Sequence, residues 1–248
     1  LLLPVITGVI LGVSALPSKL WPLNFIAFIP LLIASEFALT SKKPFLIFTI
    51  QLLISLFVFY LWVGHWVLET ANMGFLVGIL IILPFILIVP PYIILLRRKN
   101  KYSPLYFIAA WLSAELIQSH FQLGSPFYAL GNNLGVNTKL IQWYEFTGAA
   151  GGSLWILAGN FTIYSTGKTH KLDKKILIRK SLTALGVLLL PFLISLYIFN
   201  TYKEKGRESE VLIIHPSTDC ANVKYRIDIY ELMDIYLNIM TPQITEKT

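Results

Sequence analysis

Long runs of Leu, Ile, Val and Phe, parted by short stretches that collect Pro, Gly, Lys and Arg, set the layout of this chain. Leu1 to Leu16 reads as a first, short span, stopped by Pro17, which has no backbone N–H to continue a helix. A turn at Ser18–Trp21 leads to Pro22, where a second span opens and runs to near Leu39, so the two form a helical hairpin. Phe45 to about Gly64 is a third span. His65 to Met73 (HWVLETANM) is amphipathic and aromatic-rich, the pattern of a membrane–water interface. Gly74 to Leu96 is a fourth span, predicted to bend in its second half at Pro84, Pro90 and Pro91. Pro104 to Phe121 is a fifth. The loop Gln122–Leu140, rich in Gly, Asn and Pro, separates it from a sixth span, Ile141 to Ser165. In that span GAAGGS (Gly148–Ser153) offers close helix–helix approach through small residues. Ser181 to Phe199 is the seventh, and no internal repeat is visible.

From Thr201 the pattern changes. TYKEKGRESE is a charged linker, and VLIIHPSTD reads as a short buried β-strand ended by Pro216. Asp228 to Met240 reads as an amphipathic helix with Ile229, Leu232, Met233, Tyr236 and Leu237 on one side. Strand followed by helix is how an α/β domain opens. One of each cannot bury a core, so the rest of such a domain is expected past Thr248. The start at Leu1, without Met and already inside an apolar run, suggests truncation there as well. The expected organisation is a transmembrane helical bundle over residues 1–200 and a linker with an incomplete α/β domain over 201–248.

Composition sharpens this. Of 248 residues, 56% are hydrophobic and only 13% charged, where a soluble domain carries about twice that charge. Continuous apolar runs give a polytopic α-helical membrane protein and exclude a β-barrel, whose segments would alternate. The net charge of +7 invites nucleic acid as a partner, but the positive residues sit in short loops, where membrane orientation accounts for them. Lys42 and Lys43 occupy one loop, Arg97, Arg98, Lys99 and Lys101 another, and Lys168, Lys171, Lys174, Lys175, Arg179 and Lys180 a third. The alternate loops hold only Lys19 and Lys139. By the positive-inside rule the amino terminus is cytoplasmic and everything after Phe199 lies outside.

Candidate chemistry centres on Trp111–Asn133. Glu115, Gln118, Ser119 and Gln122 fall on one helical face at about 100° per residue. A carboxylate near mid-membrane costs roughly 2.5–3.5 kcal/mol, so Glu115 should face protein or water. It lies about 16 Å above the inner entry at Pro104, while Glu69 and Glu145 sit near the outer surface. Glu115 with Gln118 reads either as the polar wall of an outward-opening cavity or as a carboxylate binding neighbouring helices together. The HWVLET segment, with Trp66 and Glu69, is either a substrate entrance or an interfacial anchor. Glu145, beside Trp143 and Tyr144, reads as a water-exposed interfacial residue. Cys220, the single cysteine, excludes an internal disulfide; with His215 it lacks a third group for nucleophilic catalysis. The chain has no phosphate-cradling glycine loop, zinc-ligand spacing or serine elbow, so neither metal nor cofactor is expected.

Several segments, taken in order, resemble the apolipoprotein N-acyltransferases of the bacterial cytoplasmic membrane. They are LPSKLWP (Leu16–Pro22), GHW (Gly64–Trp66), AAWLSAELIQ (Ala109–Gln118), GSPFYALGNN (Gly124–Asn133) and YEFTGAAGGSLW (Tyr144–Trp155). VLIIHPSTD and the segment ending in TPQITEKT are similar to the first strand and helix of that family's nitrilase-like domain. The resemblance implies an acyltransferase of the inner membrane. Its cysteine takes an acyl chain from a phospholipid as a thioester and passes it to the α-amino group of a diacylglyceryl-cysteine on an apolipoprotein. The implied catalytic Glu–Lys–Cys triad is expected beyond Thr248, so the chain as given should not turn over. Lipid-cavity candidates under this reading are Trp66, Glu69, Glu115, Gln118, Pro126 and Glu145. The family's fifth helix commonly carries Arg three residues after its Glu. This chain has Gln118 there, so the resemblance does not carry over the phosphate or headgroup contact expected from that position. The competing readings are a membrane transporter or channel using Glu115 and Glu145, and a scaffold binding a partner through 201–248.

Overall fold

A computed structural model describes residues 1–16, 19–65, 67, 74–120, 128–169, 174–203, 211–215 and 227–244, the side chains of Gly74, Phe75 and Thr169 excepted. All regular structure among them is helical. In chain order the helices are α1 (Leu2–Ala15), α2 (Ile29–Leu39), α3 (Pro44–Val63), α4 (Gly74–Ile88), α5 (Tyr92–Arg97), α6 (Ser103–His120), α7 (Tyr144–Thr169), α8 (Lys174–Thr201) and α9 (Ile229–Met240). Short 3-10 turns stand at Trp21–Phe25, Leu130–Leu134, Thr138–Leu140 and Thr241–Gln243. The chain divides into two compact units, Leu1–Thr201 and Tyr202–Thr248.

Prolines mark where helices begin and where they break. Pro30 and Pro44 occupy first-turn positions of α2 and α3, where a missing N–H costs nothing. The Pro90–Pro91 pair ends α4 and restarts the chain as α5, with Tyr92 N donating to Val89 O at 3.0 Å across the break. Pro84 and Pro191 stay inside α4 and α8, so the predicted bend belongs to the later pair. The second segment is likewise interrupted: a 3-10 turn over Trp21–Phe25 precedes α2.

Four segments among the described residues are long and apolar enough to cross a membrane: Trp21–Leu39, Pro44–Val63, Leu76–Arg97 and Lys174–Thr201. Leu2–Ala15 is apolar but shorter. The chain is therefore a membrane protein, with fewer self-evident spans than the seven expected. Helices α6 and α7 fall outside the four because they spend apolar positions on Glu115, Gln118, Ser153 and Asn160, all buried against neighbours.

The core of the first unit is aromatic. Trp111 of α6 lies edge-on to Phe28 at 4.8 Å, tilted to Phe85 at 4.8 Å and stacked on Phe107 at 5.9 Å. Tyr92 and Phe161 close on Phe107 at 5.1 and 5.4 Å. Such pairs contribute about 0.5–1.5 kcal/mol each beyond simple burial, and here they lock the register of α6. That register fixes everything one turn further along.

In the second unit, residues 211–215 belong to no helix and no strand. The strand expected at VLIIHPSTD is therefore not confirmed among the described residues: a strand needs a ladder partner, and no described residue supplies one. Helix α9 does form over Ile229–Met240, capped by Asp228, whose carboxylate accepts from Tyr230 N at 2.8 Å. Ile229, Tyr230, Met233 and Leu237 of α9 are exposed.

Candidate functional site

Residues 111, 114, 115 and 118 form the buried face of α6. Ser119 is exposed, correcting the expectation that it shares this face; at about 100° per residue it lies a quarter-turn from the face's centre. Gln118 is buried and engaged by a neighbour. Glu115 is 7% exposed. Its Oε1 accepts from Trp111 Nε1 at 2.9 Å and from the backbone N of Leu130 at 3.0 Å. The Ser153 hydroxyl of α7 also donates to this carboxyl. The cost of burying the group is met by three donors from three separate segments.

Those donors draw the loop 128–142 onto the end of the bundle. Gly131 N donates to Ser153 Oγ at 2.9 Å, and Tyr144 Oη donates to Gly131 O at 2.7 Å. Backbone meets backbone at Gly131, where a Cβ would stand 1.9 Å from Ala149 O, and a Cβ on Gly152 would stand 1.7 Å from the Tyr144 side-chain hydroxyl. The GAAGGS run thus admits a loop, not another helix as its small residues suggested. Gly148, at φ +60°, breaks α7 between its first turn and its body, a conformation that a β-carbon would strain. At the loop's entry Tyr128 stacks on Tyr60 at 5.8 Å and meets Phe59 edge-on at 5.9 Å.

A second set of polar side chains adjoins the same loop, and sequence reasoning missed it. Asn24 is fully buried in the 3-10 turn after α1. Its Oδ1 accepts from Ser14 Oγ at 2.9 Å and from Asn133 Nδ2 at 3.1 Å, and its Nδ2 donates to Trp21 O at 2.9 Å. Asn160 of α7 donates to Asn24 O at 2.7 Å and accepts from Phe28 N at 2.8 Å. Three amides therefore pin α1, the turn, the loop and α7 together. The available signal was an Asn inside an apolar run, which is as costly in lipid as a hydroxyl or amide anywhere and needs the same satisfaction. Ser195 does similar work on α8, accepting from Gln142 N at 2.7 Å and donating to Lys139 O at 2.9 Å.

Of the other candidates, Glu145 is exposed on the first turn of α7 and does not share the buried cluster. Trp66, Glu69, Pro126 and Cys220 lie outside the described residues. Glu115 faces protein donors. A small pocket of about 10 Å³ on Trp111, lined by Leu56, Phe59, Tyr60, Phe85 and Tyr128 among others, is mostly hydrocarbon and does not include Glu115 in its lining. Among the described residues no cluster of His, Cys, Asp and Glu could hold a metal. What this end of the bundle can do is present a rigid, hydrogen-bonded polar surface where apolar helices terminate.

A family model described as the apolipoprotein N-acyltransferase N-terminal domain matches residues 7–162. No curated protein and no solved structure matches the chain.

Proposed function

The chain belongs to the family of the apolipoprotein N-acyltransferase N-terminal domain, and from that premise we propose that it is the membrane portion of an apolipoprotein N-acyltransferase of the inner membrane. In this reading a bundle of about seven spans brings two lipid substrates together, a phospholipid acyl donor and a diacylglyceryl-modified apolipoprotein. Its amino terminus is cytoplasmic, and residues 201–248 begin a nitrilase-like domain on the other side. The observation that supports it most is the coincidence of two things. The matched region contains the whole of α6, the loop and most of α7, and these are the elements that build the polar end around Glu115.

The chemistry suits such a surface. Acyl transfer to an amine through a thioester needs a thiolate nucleophile, an oxyanion stabiliser and a place where both lipid headgroups meet. No residue of this chain is assigned to the family's Glu–Lys–Cys triad. The bundle's part is to hold the substrates at the membrane surface and to keep the loop 128–142 in one position. Trp66, Glu69, Glu115, Gln118, Pro126 and Glu145 are the residues proposed to border the lipid cavity.

The test is an acyl-transfer assay on the protein expressed from its full reading frame, in membranes, with a phospholipid donor and a diacylglyceryl-cysteine peptide. Appearance of the amide-linked third chain supports the reading. An inactive preparation that also fails to restore lipoprotein maturation in cells lacking their own acyltransferase would rule it out.

A further inference from the structure

At the end of the bundle away from Glu115, the first turn of α3 and the last turn of α5 enclose a groove of about 370 Å³. Lys43, Pro44, Phe45 and Leu46 form one wall, and Ile93, Ile94 and Arg97 the other. The lining divides cleanly by chemistry. Phe45, Leu46 and Ile94 are each between 44% and 50% exposed, an apolar strip that no described residue covers. Lys43 and Arg97, both exposed, stand at the helix ends where the apolar spans stop. Neither forms an ion pair among the described residues, whose one salt bridge joins Lys168 to Glu36. Lys42, Arg98 and Lys99 flank them and add the same sign of charge.

A cavity with hydrocarbon along its length and two guanidinium or ammonium groups at its rim matches one kind of molecule. A soluble anion would use the cations and leave the strip bare. A neutral lipid would use the strip and leave the cations unmatched. We propose that this groove holds one anionic phospholipid from the leaflet at the charged ends of α3 and α5, its phosphate between Lys43 and Arg97 and an acyl chain along Phe45, Leu46 and Ile94. The site is separate from the acyl-transfer reading, and either can fail without the other.

Each cation close to an anionic lipid contributes about a fivefold gain in binding, so two give roughly five- to twenty-five-fold. The experiment is native mass spectrometry of the purified full chain in detergent, titrated with phosphatidylglycerol or with phosphatidylcholine of the same acyl chains. The wild-type protein should retain one phosphatidylglycerol at a five- to twenty-five-fold lower concentration. Lys43→Gln with Arg97→Gln should abolish the preference, and Ile94→Trp should weaken retention with both charges in place. Lys19→Gln, at the opposite end, should change nothing. Equal retention of the two lipids by the wild-type protein overturns the proposal, whatever the variants do. So does displacement of the lipid by an equal concentration of glycerol 3-phosphate, which would mark a free-phosphate site.

Discussion

The two ends of this bundle solve the same problem by opposite means. At one end the chain terminates its helices in buried amides, hydroxyls and one carboxyl, each held by protein partners at 2.7–3.1 Å. At the other it terminates them in exposed cations, Lys42, Lys43, Arg97, Arg98, Lys99 and Lys101, with an exposed ion pair between Lys168 and Glu36. The first is a structure that must be assembled to be stable. The second is a solvated rim, where geometry matters little and charge matters more. A substitution should therefore be judged by which end it touches.

The largest effect is expected where backbones touch. Gly131→Ala places a β-carbon within 1.9 Å of Ala149 O, and the loop cannot seat. Destabilisation of about 3 kcal/mol or more is expected, read as a loss of monodisperse protein and of thermal stability in detergent. A variant as stable as wild type would mean that the loop is free to lift from α7. Next comes Asn24→Leu, which takes the side-chain acceptor from Ser14 and Asn133 and the donor from Trp21 O, while Asn160 keeps its bond to the backbone carbonyl at position 24. Unsatisfied buried groups cost about 1–3 kcal/mol each, so a total of at least about 2 kcal/mol should appear in thermal unfolding.

Glu115 separates structure from chemistry within the polar end. Glu115→Ala strips the acceptor from Trp111, Leu130 and Ser153 and should cost roughly 2 kcal/mol without preventing insertion. Acyl transfer should fall with it. Glu115→Gln keeps an acceptor oxygen and should cost about 1 kcal/mol or less. If the Gln variant is stable and fully active, the carboxyl only positions the loop; if stable and inactive, its charge or proton is used. The smallest effect belongs to the rim. Lys168→Ala breaks an exposed pair worth under about 0.5 kcal/mol, and a measured loss several times larger would show that the rim is also a built structure.

How much of this could be read from the chain follows the same division. Helix limits set by Leu and Ile runs were legible, as was the break at Pro90–Pro91, because both depend on local chemistry. Glu115 and Gln118 were legible as a pair, since 100° per residue places them together on α6. Ser119 was not separable from them, because the edge of a buried face is decided by neighbours from other segments. The partner of GAAGGS was hidden for a related reason. Small residues advertise that something comes close, and only the tertiary fold says that Gly131 of a loop is what comes. Asn24 and Asn160 went unread because a lone amide in an apolar run looks like noise until its partner, over a hundred residues away, is beside it. The strand expected at 211–215 stands unconfirmed at the same level: four apolar residues are a strand only when another strand pairs with them.

Asn24, Asn133 and Asn160 hold their partners without net charge and out of contact with water. Mobile ions screen interactions at the lysine-and-arginine rim over a distance of about 8 Å at physiological strength, yet have nothing to screen among three amides. A change in the saltiness of the surroundings would thus retune the cationic rim and leave these three amides at rest.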